Sequence, residues 1–278
     1  MTALTDISDC INRETGGSSG APETIWWHKQ ARVAGAAPTA PIAGRPMSLW
    51  RFDGQPALGA VPGAVAIPDN TTDGGLKQTD PAGGTQKWML GGGVSGLVAG
   101  TVILYDRLLH IGGLSGTTTT AQTVGGTITR YTNGAGNMLF AEVYTTVGAS
   151  STTISASYTD QDGNTGQTTA AVAFGNTGFR EDTRAIFLPL ASGDTGVRAC
   201  ASTTVLATTG TAGSFGITMA HPLAMAAISA AGLTGWRNFT TGMPGLPEVL
   251  TDACLALLFI PNTTTIPELF GAFNWVER

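Results

Sequence analysis

The run Thr101-Val-Ile-Leu-Tyr-Asp-Arg-Leu-Leu-His-Ile-Gly-Gly-Leu-Ser-Gly116 constrains the fold more than any other stretch of the chain. Val102 to Tyr105 is apolar, β-branched and aromatic, too short for a long helix, and preceded by the glycine-laden Gly91 to Gly100, which together predict a buried strand. Asp106 and Arg107 interrupt it. Successive side chains of a strand face opposite ways, so these two charges do not share a face, and the pattern predicts a structural ion pair with another segment at the strand's end. An acid/base pair of Asp106 and His110 is the rival reading, but no nucleophile or oxyanion-forming glycine turn accompanies them.

Downstream of this strand the chain is punctuated like a sheet. Leu139, Ala141 and Val143 alternate with Phe140, Glu142 and Tyr144, and Ile154, Ala156 and Tyr158 alternate with a wholly polar set, a period of two. The spacer Gly148 to Ser151 is of hairpin length, and Asp162-Gly163 is a strong hairpin signal linking Ile154–Asp160 to Gln167–Phe174, so three consecutive strands are expected to form a meander. Thr127–Tyr131, Arg184–Leu190 and Val197–Leu206 read as further strands, and Ala253–Ile260 as a late strand returning to the centre of a sheet. Between Met47 and Leu90, short extended pieces at Ser48–Phe52 and Val61–Ile67 are divided by turn residues. Helical signals are few: Ile7 to Ile11 behind a Thr5 or Asp6 cap, and Pro222 to Leu233.

This spacing predicts an all-β fold, a jelly-roll-like β-sandwich over residues 47–278. Residues 1–46 read as an extended N-terminal arm, because Ala34 to Pro46 has neither period and Gly16 to Gly20 breaks regular structure. The arm's candidate interaction residues are Trp26 and Trp27. Adjacent side chains of an extended segment point to opposite sides, so one ring can dock on its own subunit while the other enters a neighbour, and the β-domain is expected to fold without both.

Only 12% of residues are charged and glycine reaches 39, a composition whose surfaces call for burial against other subunits. A net charge of −5 argues against a nucleic-acid partner. Cys10, Cys200 and Cys254 lack CxxC spacing and read as buried thiols, not a disulfide framework or zinc site. Neither a secretion signal nor a run long enough to span a membrane is present, so cytoplasmic synthesis and no membrane partner are expected.

The reading for catalysis is negative: no catalytic, cofactor or metal site is expected, and the chain reads as no enzyme. His28, His110 and His221 sit in unrelated contexts. Asp160-Gln-Asp162-Gly-Asn164 begins like a calcium loop but has Ala171 where the bidentate Glu belongs, so a turn is expected. Asp194 in Ser192-Gly-Asp-Thr-Gly196 lacks the second copy that an aspartic-protease pair needs.

At Leu104-Tyr-Asp-Arg-Leu-Leu-His-Ile-Gly-Gly-Leu114, Ser157-Tyr-Thr-Asp-Gln-Asp-Gly163 and Leu188-Pro-Leu-Ala-Ser-Gly-Asp-Thr-Gly-Val197, over roughly residues 85 to 200, the chain resembles structural proteins of tailed bacteriophage virions. The resemblance implies a β-rich, non-enzymatic virion protein made in the host cytoplasm, most readily a decoration or cement protein of the capsid. It also implies a homo-oligomer, with a trimer preferred, and other virion proteins such as the major capsid protein as partners. A tail, neck or spike component is the alternative within that class. The alternative from another class is a carbohydrate-binding module of a tail tip, with Trp50, Trp88 or Trp236 stacking on sugars; exposed tryptophans near carboxylates would favour it.

Overall fold

A computed structural model describes residues 7–14, 22–33, 39–238 and 246–277. In chain order its elements are α1 (Ile7–Glu14), β1 (Glu23–Gln30), β2 (Met47–Ser48), β3 (Asp53–Gln55), β4 (Lys87–Gly96), β5 (Gly100–Leu114), β6 (Gln122–Thr123), β7 (Met138–Thr145) and β8 (Thr152–Asp160). Next come β9 (Gln167–Thr168), β10 (Val172–Phe174), β11 (Ala185–Phe187), β12 (Val197–Val205), β13 (Ser214–Ile228), β14 (Thr234–Asn238), β15 (Glu248–Val249), β16 (Leu255–Pro261) and β17 (Glu268–Glu277). The all-β sandwich expected from the period-two runs is what forms, as curled antiparallel sheets.

Three sheets share the strands. Sheet I runs β14-β4-β17-β1-β3, with β15 beside β4; sheet II runs β11-β7-β13-β5-β16-β2; sheet III runs β10-β8-β12-β6, with β9 beside β8. Sheet II is the centre, and β5 is its spine. One face of β5 carries Val102 and Leu104, which join Leu255, Leu257 and Phe259 in a core shared with Trp27, Val94, Phe273 and Trp275 of sheet I. A bulge at the Met219/Ala220 step takes up Leu108 as an extra residue, so Leu109 returns to that same face. There it joins Ala141, Val143, Ile217 and Met219 in a second core with Ile154, Tyr158, Val197 and Val205 of sheet III. On the opposite face Tyr105, Phe140, Tyr144 and Leu258 pack with Trp50, whose indole donates to the Ala60 carbonyl at 2.9 Å.

Asp106 and Arg107 lie mid-strand, not at the strand's end, and both are buried on opposite faces of β5. Arg130 Nε and Nη2 donate to the two Asp106 oxygens at 2.7 and 2.9 Å, and the Cys254 amide donates to the same carboxylate at 3.0 Å. Nη2 of Arg130 also reaches the carbonyls of Pro68 and Arg107. On the other face Arg107 Nη2 donates to Glu142 Oε2 at 2.6 Å and to the Tyr144 hydroxyl at 3.0 Å, beneath the Trp50 ring at 4.3 Å. The Thr218 and Tyr144 hydroxyls donate to the same Glu142 oxygen. Arg107 Nε donates to Nδ1 of His110, and burial, then the Arg107 charge, hold that imidazole neutral with its pKa down at about 2. His110 therefore belongs to Arg107 as an acceptor, not to Asp106 as a base.

Several expected elements differ. Residues 222–228, read as helical, continue β13 as far as Ile228 opposite Gly100; Pro222 falls beside a register shift to Ala224, the place where a strand tolerates a missing N–H. Residues 127–131 form no strand, because Arg130 is drawn inward to Asp106. The 148–151 spacer is no hairpin: β7 belongs to sheet II and β8 to sheet III, and Gly148 crosses between them against the Thr209 carbonyl so closely that a Cβ would lie 1.8 Å from it. The Asp162-Gly163 turn does join β8 to β9 and β10, with Asp160 Oδ1 accepting from the amides of Asp162 and Asn164.

The N-terminal arm is the largest correction. Residues 23–30 are a strand paired along its length with β17 and on the other side with β3, so their backbone groups are satisfied inside sheet I. Glu23 at its start reaches Lys87 of β4 at 2.6 Å, across β17. Lys29, facing inward and 1% exposed, donates to the carbonyls of Phe52 and Pro56 at 3.1 and 2.9 Å. Burial lowers its pKa to about 8, against the pull of Asp53 and Asp73.

Two measurements test these buried charges. Asp106→Ala leaves the Arg130 guanidinium buried without its carboxylate and is expected to lower the unfolding free energy by about 3–5 kcal/mol, measured by urea denaturation. Between pH 8 and the ordinary lysine pKa of 10.5, the unfolded chain holds a proton on Lys29 that the native chain has lost, so this residue makes stability rise with pH over that window. In Lys29→Met that increment is expected to vanish from the pH dependence of the denaturation midpoint.

Candidate interaction face

Along β1 the pleat sends Trp27 and Lys29 inward and Thr24, Trp26 and His28 outward. The two tryptophans separate accordingly: Trp27 is 3% exposed and stacks on Phe273 with ring centroids 6.1 Å apart, while Trp26 is 75% exposed. Trp27 also lies over Gly271, where a Cβ would come within 2.5 Å of its ring. Of the two expected interaction residues, Trp26 alone is available to a partner; Trp27 is core.

The outer face of sheet I is organised in rows set by strand register. Trp26 stands opposite Ala272, Ala272 opposite Gly93 and Gly93 opposite Trp236, so two tryptophans flank two small residues in a single line. On one side runs the row Thr24, Asn274, Gly91 and Asn238. On the other runs His28, Phe270, Ser95 and Thr234, in which His28 stacks on Phe270 at 4.4 Å. None of these twelve positions is Asp, Glu, Lys or Arg. Trp236 is 62% and Phe270 43% exposed.

The glycines make this line possible. The Trp236 indole reaches across Gly93, where a Cβ would meet it at 2.7 Å, and on the inner face Phe273 fills the place of a Gly92 side chain. Beyond Phe270 the face ends in a cleft of about 360 Å³ lined by Gln30, Arg32, Leu97, Ile266 and Glu268 among others. Glu268 Oε1 lies 3.1 Å from His28 Nε2.

The other residues singled out in the sequence are dispersed. His110 is in the core; His221 stacks on Tyr131 at 3.7 Å and contacts Asn137, and burial lowers its pKa to about 4. Asp194 accepts from the Tyr158 hydroxyl. Cys200 and Cys254 are buried thiols whose pKa burial pushes up to about 12. Among the described residues no group of three His, Cys, Asp or Glu side chains is placed to hold a metal ion, and no helix is long and apolar enough to cross a membrane. Trp50 is buried, and Trp88 is half-buried against Leu90 and Val276.

The sequence places Trp236 among possible sugar-stacking residues but does not connect it to Trp26, 210 positions away in the chain. The available signal is the triple glycine Gly91–Gly93, which reads as a breaker and acts as room for aromatic rings on both faces of a central strand.

No protein-family model and no curated protein matches the chain. Among solved structures it is similar to infectious bursal disease virus VP2 in a subviral particle, at 10% identity over 93% of this chain and 81% of that one, with a TM-score of 0.22. A second similar structure, that of T=1 particles derived from the same virus, shows 11% identity over 93% and 78%, with a TM-score of 0.20. At such TM-scores the backbones do not superpose as one arrangement.

The inward and outward tryptophans are separable by mutation. Trp27→Ala is expected to destabilise the fold by about 3–5 kcal/mol, whereas Trp26→Ala is expected to stay within about 0.5 kcal/mol of the parent in chemical denaturation.

Proposed function

We propose that this chain is a non-enzymatic structural component of a virus particle of the tailed-bacteriophage kind, coating or cementing a capsid lattice beside the major capsid protein. The observation that carries this reading is the scatter of exposed apolar side chains over several separate parts of a chain poor in charge. Leu206, just after β12, is 74% exposed and Met225 on β13 59%. Val61, Val65 and Ile67 are exposed along the irregular segment between β3 and β4, and Ile7 and Ile11 on α1. An enzyme concentrates its special features in one cleft; a lattice protein meets neighbours on several sides. The resemblance at residues 104–114, 157–163 and 188–197 supports the same reading. Two of those phrases have structural roles, the first as the spine β5 and the second as the end of β8 with its turn.

The purified chain is expected to sediment as a homo-oligomer, a trimer being preferred, and to co-sediment with particles, where a density map of the intact particle would place it. A stable monomer at micromolar concentration that fails to join particles overturns the proposal.

A further inference from the structure

We infer that the outer face of sheet I is a binding site for a neutral oligosaccharide, with Trp26 and Trp236 as stacking platforms and the Gln30–Glu268 cleft as its polar end. A sugar ring is amphipathic: its C–H faces are apolar and its rim carries hydroxyls that both donate and accept. The face matches that chemistry in both respects. Trp26 and Trp236 offer exposed aromatic surface, and the flanking rows supply neutral amide and hydroxyl side chains such as Asn274 and Thr24. None of the twelve row positions is Asp, Glu, Lys or Arg, unlike a surface built for phosphates or acidic headgroups, which clusters Lys and Arg.

Shape points the same way. The Trp26 and Trp236 backbones are three strand spacings apart, roughly 14 Å, with Ala272 and Gly93 at the register positions between them and the Trp236 ring lying over Gly93. A ligand of a few rings can therefore lie down flat along the line. The adjoining cleft of about 360 Å³ is in the range of small-molecule sites, roughly 300–1,000 Å³. Its carboxamide, carboxylate and guanidinium, from Gln30, Glu268 and Arg32, are planar groups suited to vicinal hydroxyls.

The exposed aromatic surface is on the scale of a small ligand and is small for the whole of an interface between two copies. From the usual size of aromatic side chains, Trp26, Trp236 and Phe270 leave on the order of 300–400 Å² of ring surface in water. That is about half of the ~800 Å² per partner that a stable protein interface buries. The inference does not rest on where in a particle the chain sits, so it stands or falls separately from the lattice role.

The test is native electrophoresis of the full chain through gels cast with soluble mannan, galactan, glucan or xylan. Tryptophan-fluorescence titration then uses oligosaccharides cut from whichever polymer retards it. Retardation by at least one polymer is expected. Trp26→Ala and Trp236→Ala should each weaken binding by about tenfold or more, the factor that 1.4 kcal/mol represents, and Trp26→Phe by less. Leu206→Ala, beside sheet III, should leave binding unchanged. No retardation in any of the four gels overturns the inference, as does retardation that survives in the Trp26→Ala/Trp236→Ala double variant. So does sedimentation showing that the double variant dissociates an oligomer, which would make the face an interface between copies. Particle co-sedimentation of the double variant, measured in parallel, reports on the lattice role independently.

Discussion

Asp106 and Arg107 are consecutive residues of the central strand, and both are removed from water, one on each face. Burying two unlike charges on opposite sides of a sheet is tolerable only if each finds its own partner with good geometry, since an unpaired buried ion costs several kcal/mol. Arg130 meets Asp106 at the junction of the two cores, and Glu142 meets Arg107 on the far side. These two pairs tie the spine to the 124–137 connection and to β7, elements that no hydrophobic pattern would have joined in one register. The arrangement demands close specification: Cys254, Pro68, Tyr144, Thr218 and His110 all orient polar atoms into the two clusters.

Around that spine the same face of sheet II is used twice, first against sheet I and then against sheet III, with the Leu108 bulge keeping the apolar side chains on one side. Sheet I then has one face committed to the core, while its other face leaves Trp26, Trp236 and Phe270 exposed and buries Val276 beside Leu90 at one end. Its outer face is unusual for what it lacks. A solvated sheet face is ordinarily dressed with charged residues, yet three registered rows here carry aromatic, amide, hydroxyl and glycine positions. The candidate surface depends on register: a slip of one residue in β1 would bury Trp26 and expose Trp27.

The lattice reading and the saccharide reading draw on different parts of the molecule only in part. Leu206 lies beside sheet III, away from the aromatic line of sheet I, whereas Met225 on the late half of β13 lies near sheet I, sharing a pocket lining with Gly92 and Arg237.

Much was legible in the residues themselves. Period-two alternation and turn pairs determine an all-β chain, because side-chain direction on a strand is a local property, and the β8 hairpin follows from it. The apolar run of β16 is a strand as its hydrophobicity implies, but it lies between β5 and the short edge strand β2, not at the centre of sheet II. The opposite facing of Trp26 and Trp27 was equally determined, since adjacent strand residues always diverge. Tertiary structure alone decided which strands are neighbours. Residues 23–30 look like a detached arm because the Pro/Gly segment after them hides their pairing with β17, about 240 residues later in sequence. Residues 222–228 look helical because an alanine-rich run has no strand period of its own, and β5 imposes one by offering a ladder of unpaired backbone groups. The line from Trp26 to Trp236 exists only once β17 and β4 lie between them, for pairing across a sheet is a long-range choice among backbones that local side-chain pattern does not encode.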